Sequence, residues 1–266
     1  MTTTAAPPAL MIDGRLVPAG DVARVVLDDG LVRGDGVFEG IRIYGRRPRT
    51  PRWHLDRLAR SADTVGLAID RALLEEELAA FCEATTAPDC AVRLIVTRGG
   101  QRVWREEPIP PEVPEGVRLL PVEHRVTPLL VGAKTLSYAA NMEAGRRARA
   151  AGCDDALLVD ADLALVLEGP TWSLGWLEGD ELVFPPLRLG ILDSLTRRLA
   201  REALPSRERE ARLGELAAAD GALTLSSVME ARPVAEIRGV ARYDPASERV
   251  LAAVSAVREA IAAAIP

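Results

Sequence analysis

Lysine is nearly absent from this chain. Of its 33 basic side chains only Lys134 is not an arginine. Cysteine is scarce too: Cys82, Cys90 and Cys153 are odd in number and lack a CxxC spacing, which argues against a disulfide framework and a zinc ribbon. The two histidines, His54 and His124, stand too far apart for an HExxH-type metal site, so no metal is expected. No run of about 18 apolar residues occurs, which removes a membrane-spanning helix. The opening MTTTAAPPAL has neither the basic start nor the apolar core of a secretory leader. A formal net charge of −6 speaks against a general nucleic-acid binder, which needs a concentrated basic face. These absences leave a metal-free cytoplasmic protein with neither nucleic acid nor membrane as partner.

What is present describes a soluble globular chain. Apolar residues make up 48% and charged residues 27% of the 266 positions. That length suits one large domain or two modest ones. Glu106–Gly116, EEPIPPEVPEG, carries four prolines and cannot sustain a helix or a strand. It is the expected boundary, with a small N-terminal α+β domain over 1–112, a linker over 113–116 and a larger C-terminal α/β domain over 117–266. Strands are expected at 9–17 and 22–27 around Asp13-Gly14, then at 37–44, 91–97, 117–126, 181–184, 222–226 and 234–237. Ala156–Val159 and Leu163–Leu167, split by Asp160-Ala161-Asp162, read as a hairpin. Helices are expected over 53–66, 71–85, 137–151, 194–203, 210–219 and 247–264. In the first of these Leu55, Leu58, Ala62 and Val65 form one stripe, and His54, Arg57 and Ser61 form another.

The solitary lysine carries the first chemical clue. Arginine replaces lysine as a charge but not as a nucleophile, because a guanidinium does not lose its proton in proteins. A primary amine condenses with a carbonyl to form a Schiff base. Tyr138, four positions on, is a phenol suited to a ring oxygen or to a satisfied place in the core. Glu168 follows an apolar run, and a carboxylate there needs a positive or proton-donating partner or solvent. Arg57 suits a phosphate, although a solvent-facing arginine is the commoner fate. The segment Gly190–Arg197 opens a helix, whose first N–H groups favour anions, and Ser226-Ser227 adds hydroxyl donors. An amine, a phenol, a carboxylate and phosphate donors together match the demands of pyridoxal 5′-phosphate.

These residues stand in an order that resembles the class IV aminotransferases, the fold-type IV pyridoxal-phosphate enzymes. That group includes branched-chain and D-amino acid aminotransferases and 4-amino-4-deoxychorismate lyases. The similar segments are DDGLVRGDGVFEGIRIY (28–44), HLDRL (54–58), VRLIVTRGG (92–100), AKTLSYAANMEAGRRARAAGCDDALLVD (133–160), LEGPTWSLGW (167–176), PPLRLGILDSLTR (185–197) and SSVMEARPV (226–234). The resemblance implies that Lys134 binds the cofactor aldehyde and moves the substrate proton, Tyr138 bonds the ring oxygen and Glu168 pairs with the ring nitrogen. It gives the phosphate to Arg57, the amides of Leu195 and Thr196, and Ser227. Phe38, Arg42 and Val228 are implied around the substrate. Arg33, where branched-chain enzymes carry an aromatic residue, suits a second substrate carboxylate or faces water; Arg93 and Arg98 are further carboxylate candidates, and strand alternation brings only one of them to the pocket. It also implies a homodimer and transfer of an amino group between an amino acid or amine and a 2-keto acid. A lyase outcome is the second reading, and an inactive scaffold of the same fold the third.

The chain departs from the family pattern in places. Ser173 stands where an asparagine that orients Glu168 is expected, and Trp172 beside it is bulky for that turn. Asp193-Ser194 replaces Pro-Gly ahead of the phosphate-binding amides. Asp193 is expected to cap the helix, and its charge to weaken cofactor affinity.

Overall fold

The computed structural model describes residues 7–266; the first six, on which part of the leader argument rests, lie outside the described residues. The chain divides into two compact units: 1–110 with 133–137 and 264–266, and 111–132 with 138–263. Each contains sheet and helix, giving the mixed α/β class that the patterning predicts.

The first unit is a six-stranded sheet with helices. It comprises β1 (Leu10–Ile12), β2 (Arg15–Leu16), α1 (Asp29–Arg33), β3 (Gly36–Tyr44), β4 (Arg47–Pro48), α2 (Pro51–Thr64), α3 (Arg71–Ala84), β5 (Cys90–Thr97) and β6 (Arg102–Glu107). The strand order is β2-β1-β6-β5-β3-β4. Asp13 and Gly14, both at positive φ, make the β1–β2 turn with the twist a tight hairpin needs. The strand expected at 22–27 is not there. Those residues have no regular structure, and Val22 and Leu27 are 88% and 78% exposed. Pro51 opens α2, where a missing N–H costs nothing. Leu55, Leu58 and Ala62 of that helix then pack with Ile41, Val92 and Trp104 in the core.

The second unit carries an eight-stranded mixed sheet. Its elements are β7 (Val117–His124), α4 (Ala139–Ala150), β8 (Asp155–Asp160), β9 (Ser173–Glu178), β10 (Glu181–Phe184), α5 (Leu195–Ala203), β11 (Ser206–Glu208), β12 (Gly221–Ser226), β13 (Glu230–Ile237), β14 (Ala241–Arg242) and α6 (Glu248–Ala263). Strands run β11-β10-β9-β12-β13-β7-β8, with β14 on β13. β7 pairs in parallel with both β8 and β13. The expected hairpin after β8 is irregular. Ala164 sits at positive φ, and the returning segment divides its pairing, Val166 with Val159 and Leu165 with Arg212. The helix expected at 210–219 is a short 3-10 turn, Leu213–Ala218, where Gly214 disfavours a longer α-helix. Among the described residues no helix is long and apolar enough to cross a membrane.

Candidate functional site

The polar stripe of α2 does not face water. His54, Arg57 and Ser61 are all buried, and two of them converge on Glu39 in the middle of β3. Arg57 Nε and Nη2 donate to Glu39 Oε1 and Oε2, each at 2.7 Å, a bidentate fork. His54 Nδ1–H donates to Glu39 Oε2 at 2.7 Å, and His54 Nε2 finds no hydrogen-bond partner among the described residues. Burial by itself raises the Glu39 carboxyl, but the charge and hydrogen bonds of Arg57, with those of His54, carry it well below the usual carboxylate range. Burial pushes the His54 imidazole down, and Glu39 opposes that shift without cancelling it. The solvent-facing fate weighed for Arg57 is thereby overturned. Neither Glu39 nor His54 stood among the expected site residues. The signal for His54 was present in the stripe it shares with Arg57 and Ser61; Glu39 had none.

Ser61 connects this cluster to the lysine. Its hydroxyl donates to Arg57 O at 2.9 Å and accepts the backbone N–H of Lys134 at 3.0 Å. On the other side the Lys134 segment pairs with the start of β3. Phe38 N–H donates to Lys134 O at 3.1 Å, and Leu136 N–H to Gly36 O at 2.9 Å. Residues 133–137 thus return to the first unit although they follow the proline-rich segment. The ε-ammonium lies 4.3 Å from the centre of the Phe38 ring. Lys134 is half-buried, and its backbone N–H is tied to the helix that carries Arg57.

The second unit holds the remaining cofactor candidates. The Tyr138 hydroxyl donates to Pro170 O, two residues beyond Glu168, and Asn141 Nδ2 donates to the same oxygen at 3.3 Å. Glu168 is half-buried and its Oε1 accepts the Leu192 N–H at 3.1 Å. Leu195 and Thr196 are fully buried in the first turn of α5. Asp193 does not cap that helix. Ser194 does, its hydroxyl accepting the Arg197 N–H at 3.3 Å, while Asp193 is drawn to Arg198 at 3.4 Å. The shorter serine side chain adjoins the helix at the N-cap position and satisfies one otherwise orphaned donor. Ser227 and Val228, both half-buried, lie in the turn after β12, which Ser226 closes by accepting the Met229 N–H at 3.0 Å.

The arginines expected near the substrate differ in what holds them. Arg33 ends α1, exposed and paired with Asp29. The Arg42 guanidinium stacks 5.0 Å from the Tyr44 ring centre. Arg98 donates both prongs of its fork to Asp35, at 2.9 and 2.7 Å, and reaches the carbonyls of Gly66 and Val65, so it closes the end of α2 onto α1 and β3. Arg93 bridges to Glu107 at 2.8 Å, yet its guanidinium also lies 5.2 Å from the centre of the Phe38 ring, the ring that Lys134 approaches.

Each unit supplies groups that pyridoxal 5′-phosphate calls for: the first an amine for an aldehyde and a buried guanidinium for a phosphate, the second a carboxylate for a ring nitrogen and a capped helix start. Comparison with known proteins agrees. The amino-transferase class IV family pattern matches residues 36–237. A Methanocaldococcus jannaschii protein assigned as a branched-chain-amino-acid aminotransferase is 32% identical over 256 residues, covering 86% of this chain and 88% of its own. A bifunctional aminodeoxychorismate lyase / D-amino acid transaminase of Mycobacterium tuberculosis is 32% identical over 181 residues, 60% of this chain and 62% of that one. Among solved structures, the PLP-bound form of a hypothetical aminotransferase from Mycobacterium tuberculosis superposes with a TM-score of 0.87 at 27% identity, covering 96% of this chain and 99% of that chain. The chain belongs to the class IV aminotransferases, the fold-type IV enzymes that move amino groups with pyridoxal 5′-phosphate.

Proposed function

We propose that Lys134 carries the cofactor and performs the proton transfer of a transamination between an amino acid or amine and a 2-keto acid. The observation that carries this reading is the fixing of the only lysine, through Ser61 and the edge of β3, beside the Arg57–Glu39 pair. When bound, the cofactor supplies an aldehyde and a ring that withdraws electrons from the substrate Cα. Lys134 takes the proton from that carbon and returns it to the cofactor's C4′ carbon, a movement its unbranched side chain allows. Glu168 holds a proton on the ring nitrogen, and Tyr138 bonds the ring oxygen. Arg57, the Leu195 and Thr196 amides and Ser227 hold the phosphate, with Glu39 and His54 fixing the direction of the Arg57 fork. Phe38 and Val228 flank the substrate, and Arg93 is favoured over Arg98 for a second carboxylate because it shares the Phe38 ring with Lys134. Arg33 and Arg42 complete the proposed substrate set.

The lyase outcome uses the same residues and is favoured by the likeness to the bifunctional Mycobacterium tuberculosis enzyme. A cytoplasmic homodimer is the proposed state, with the larger C-terminal domain, 117–266, supplying most cofactor contacts and 113–116 the linker. The exposed run Val22, Val25, Val26, Leu27, Leu31 and Val32 supports a second copy as its cover.

The test is Lys134→Ala measured with D-alanine, L-leucine or an aromatic amine plus a keto acid. Turnover is expected to fall by about a thousandfold or more, together with loss of the borohydride-bleachable visible band. Undiminished turnover overturns the assignment. Pyruvate released from aminodeoxychorismate by the unaltered enzyme, without transfer products, selects the lyase. Light scattering is expected to report twice the chain mass, and a monomer refutes the homodimer.

A further inference from the structure

Glu168 is followed at once by a feature that its own hydrogen bonds do not explain. Its carbonyl accepts the Leu158 N–H at 2.9 Å, which ties it to β8. The next residue, Gly169, donates its N–H to Trp172 O at 2.8 Å and so closes a turn. The indole of Trp172 folds back over that turn. A Cβ at position 169 would sit 1.9 Å from Trp172 Cε2 and 2.3 Å from Cδ2 and Cζ2. Gly169 does not have a positive φ, so the ring and not the backbone conformation demands glycine there.

The ring is held at its far edge. Trp172 Nε1–H donates to Asp155 Oδ2 at 2.8 Å, and Asp155 Oδ1 accepts the Ala156 N–H at 2.9 Å. Asp155 begins β8, the same strand whose Leu158 holds the Glu168 carbonyl. The chain therefore forms a closed circuit from β8 through Glu168, Gly169 and Trp172 back to β8. Simple core packing explains only part of this. Trp172 is 4% exposed and touches an apolar cluster with Val166 and Leu174. Apolar packing does not require the half-buried Asp155 carboxylate at the edge of the indole, where its partial desolvation costs free energy.

We propose that Trp172, anchored by Asp155, is the positioning residue that fixes the direction of the Glu168 carboxylate toward the ring nitrogen of the cofactor. The ring presses on the residue next to Glu168 and removes the freedom of that turn, so the carboxylate is aimed before the cofactor arrives. This rests on the assignment of Glu168 to the ring nitrogen made above, and it adds a residue that does not itself touch the cofactor.

The experiment titrates the full chain, stripped of cofactor, with pyridoxal 5′-phosphate and with its 1-deaza analogue, in which carbon replaces the ring nitrogen. Trp172→Phe keeps an aromatic side chain and loses the indole N–H. It is expected to weaken pyridoxal phosphate by about tenfold, the scale of one hydrogen bond to a charged group, and to leave the analogue's affinity unchanged. Equal weakening of both ligands, or of neither, overturns the proposal and makes Trp172 a packing residue. If Trp172→Phe does not fold, Asp155→Ala is expected to give the same selective loss. Asp155→Asn, which retains an acceptor for the indole N–H, is expected to restore the affinity of the unaltered protein, and an Asn variant as weak as the Ala variant counts against the anchor. An unaltered protein that binds pyridoxal phosphate no better than the analogue overturns the Glu168 assignment itself, which separates that failure from failure of the Trp172 anchor.

Discussion

Two carboxylates, fully buried Glu39 in the first unit and half-buried Asp155 in the second, end with pKa shifts of opposite sign. Glu39 and Asp155 both pay to leave water, and for both that cost is the largest single influence on the carboxyl. Glu39 meets a guanidinium fork and an imidazole, and its pKa falls well below the usual range. Asp155 meets the neutral N–H groups of Trp172 and Ala156, with Arg149 contributing less, and burial wins: its pKa is raised. Two neutral donors do not offset burial at Asp155, whereas a guanidinium fork with an imidazole more than offsets it at Glu39. The first unit thus builds an ion cluster in which the proposed phosphate ligand is already oriented. The second builds a polar anchor whose two carboxyl oxygens accept from Trp172 and Ala156.

Removing the cation from the stronger cluster tests the contrast hardest. Arg57→Ala leaves Glu39 buried beside His54 alone, and unfolding experiments are expected to show a loss of about 3–5 kcal/mol, the usual cost of breaking a buried pair. Adding Glu39→Gln to that variant is expected to recover part of the loss, because the stranded charge is gone. A double variant no more stable than the single one shows that packing, and not charge, governs the cluster.

His54 gives the next effect. Its folded pKa lies below the unfolded value of 6.5, so below that pH the unfolded chain binds a proton the native imidazole resists. Stability is therefore expected to fall as pH drops from 6.5 toward the folded pKa. Glu39, depressed as a carboxylate, retains its contribution until more acidic pH. His54→Gln is expected to flatten the melting-temperature profile just below pH 6.5, and an unchanged slope there assigns the acid limb elsewhere.

Asp155 is expected to give the smallest effect, of opposite sign. With its folded pKa above the unfolded value of 3.8, the native chain holds a proton that the unfolded chain has lost. Stability from this group falls as pH rises from about 3.8 through the folded pKa. Asp155→Asn removes that slope and is expected to leave the neutral-pH protein as stable as before or slightly more so. A marked destabilisation at neutral pH shows that the ionised form is needed and erases the contrast with Glu39.

Much of the proposed site was read before any coordinates. Lys134 stood out because, among the basic side chains, only an amine forms a Schiff base. Arg57, Glu168 and the start of α5 followed from residue order and resemblance. Glu39 was not legible, because an acidic residue within a strand reads as the solvent side of an alternating pattern, and its partners lie 15 and 18 positions away on a helix. The 22–27 segment failed for the converse reason. β-branched residues raise strand propensity, but a strand needs a neighbour, and none pairs with these residues. Asp193 was expected at a cap that Ser194 occupies, a shift of one position that local sequence does not resolve.

The sequence by itself determined the period of each long helix and strand, the turn at Asp13-Gly14, and the position of the single lysine. These depend on neighbours a few residues apart, so they are written locally. Only the tertiary structure decided that the polar stripe of α2 turns inward onto Glu39, that Ser61 holds the Lys134 backbone, and that Trp172 lies on Gly169 under the hold of Asp155. Apart from the turn that brings Trp172 onto Gly169, those pairings join segments distant along the chain, and their partners are chosen by sheet register and helix packing, which no local pattern encodes.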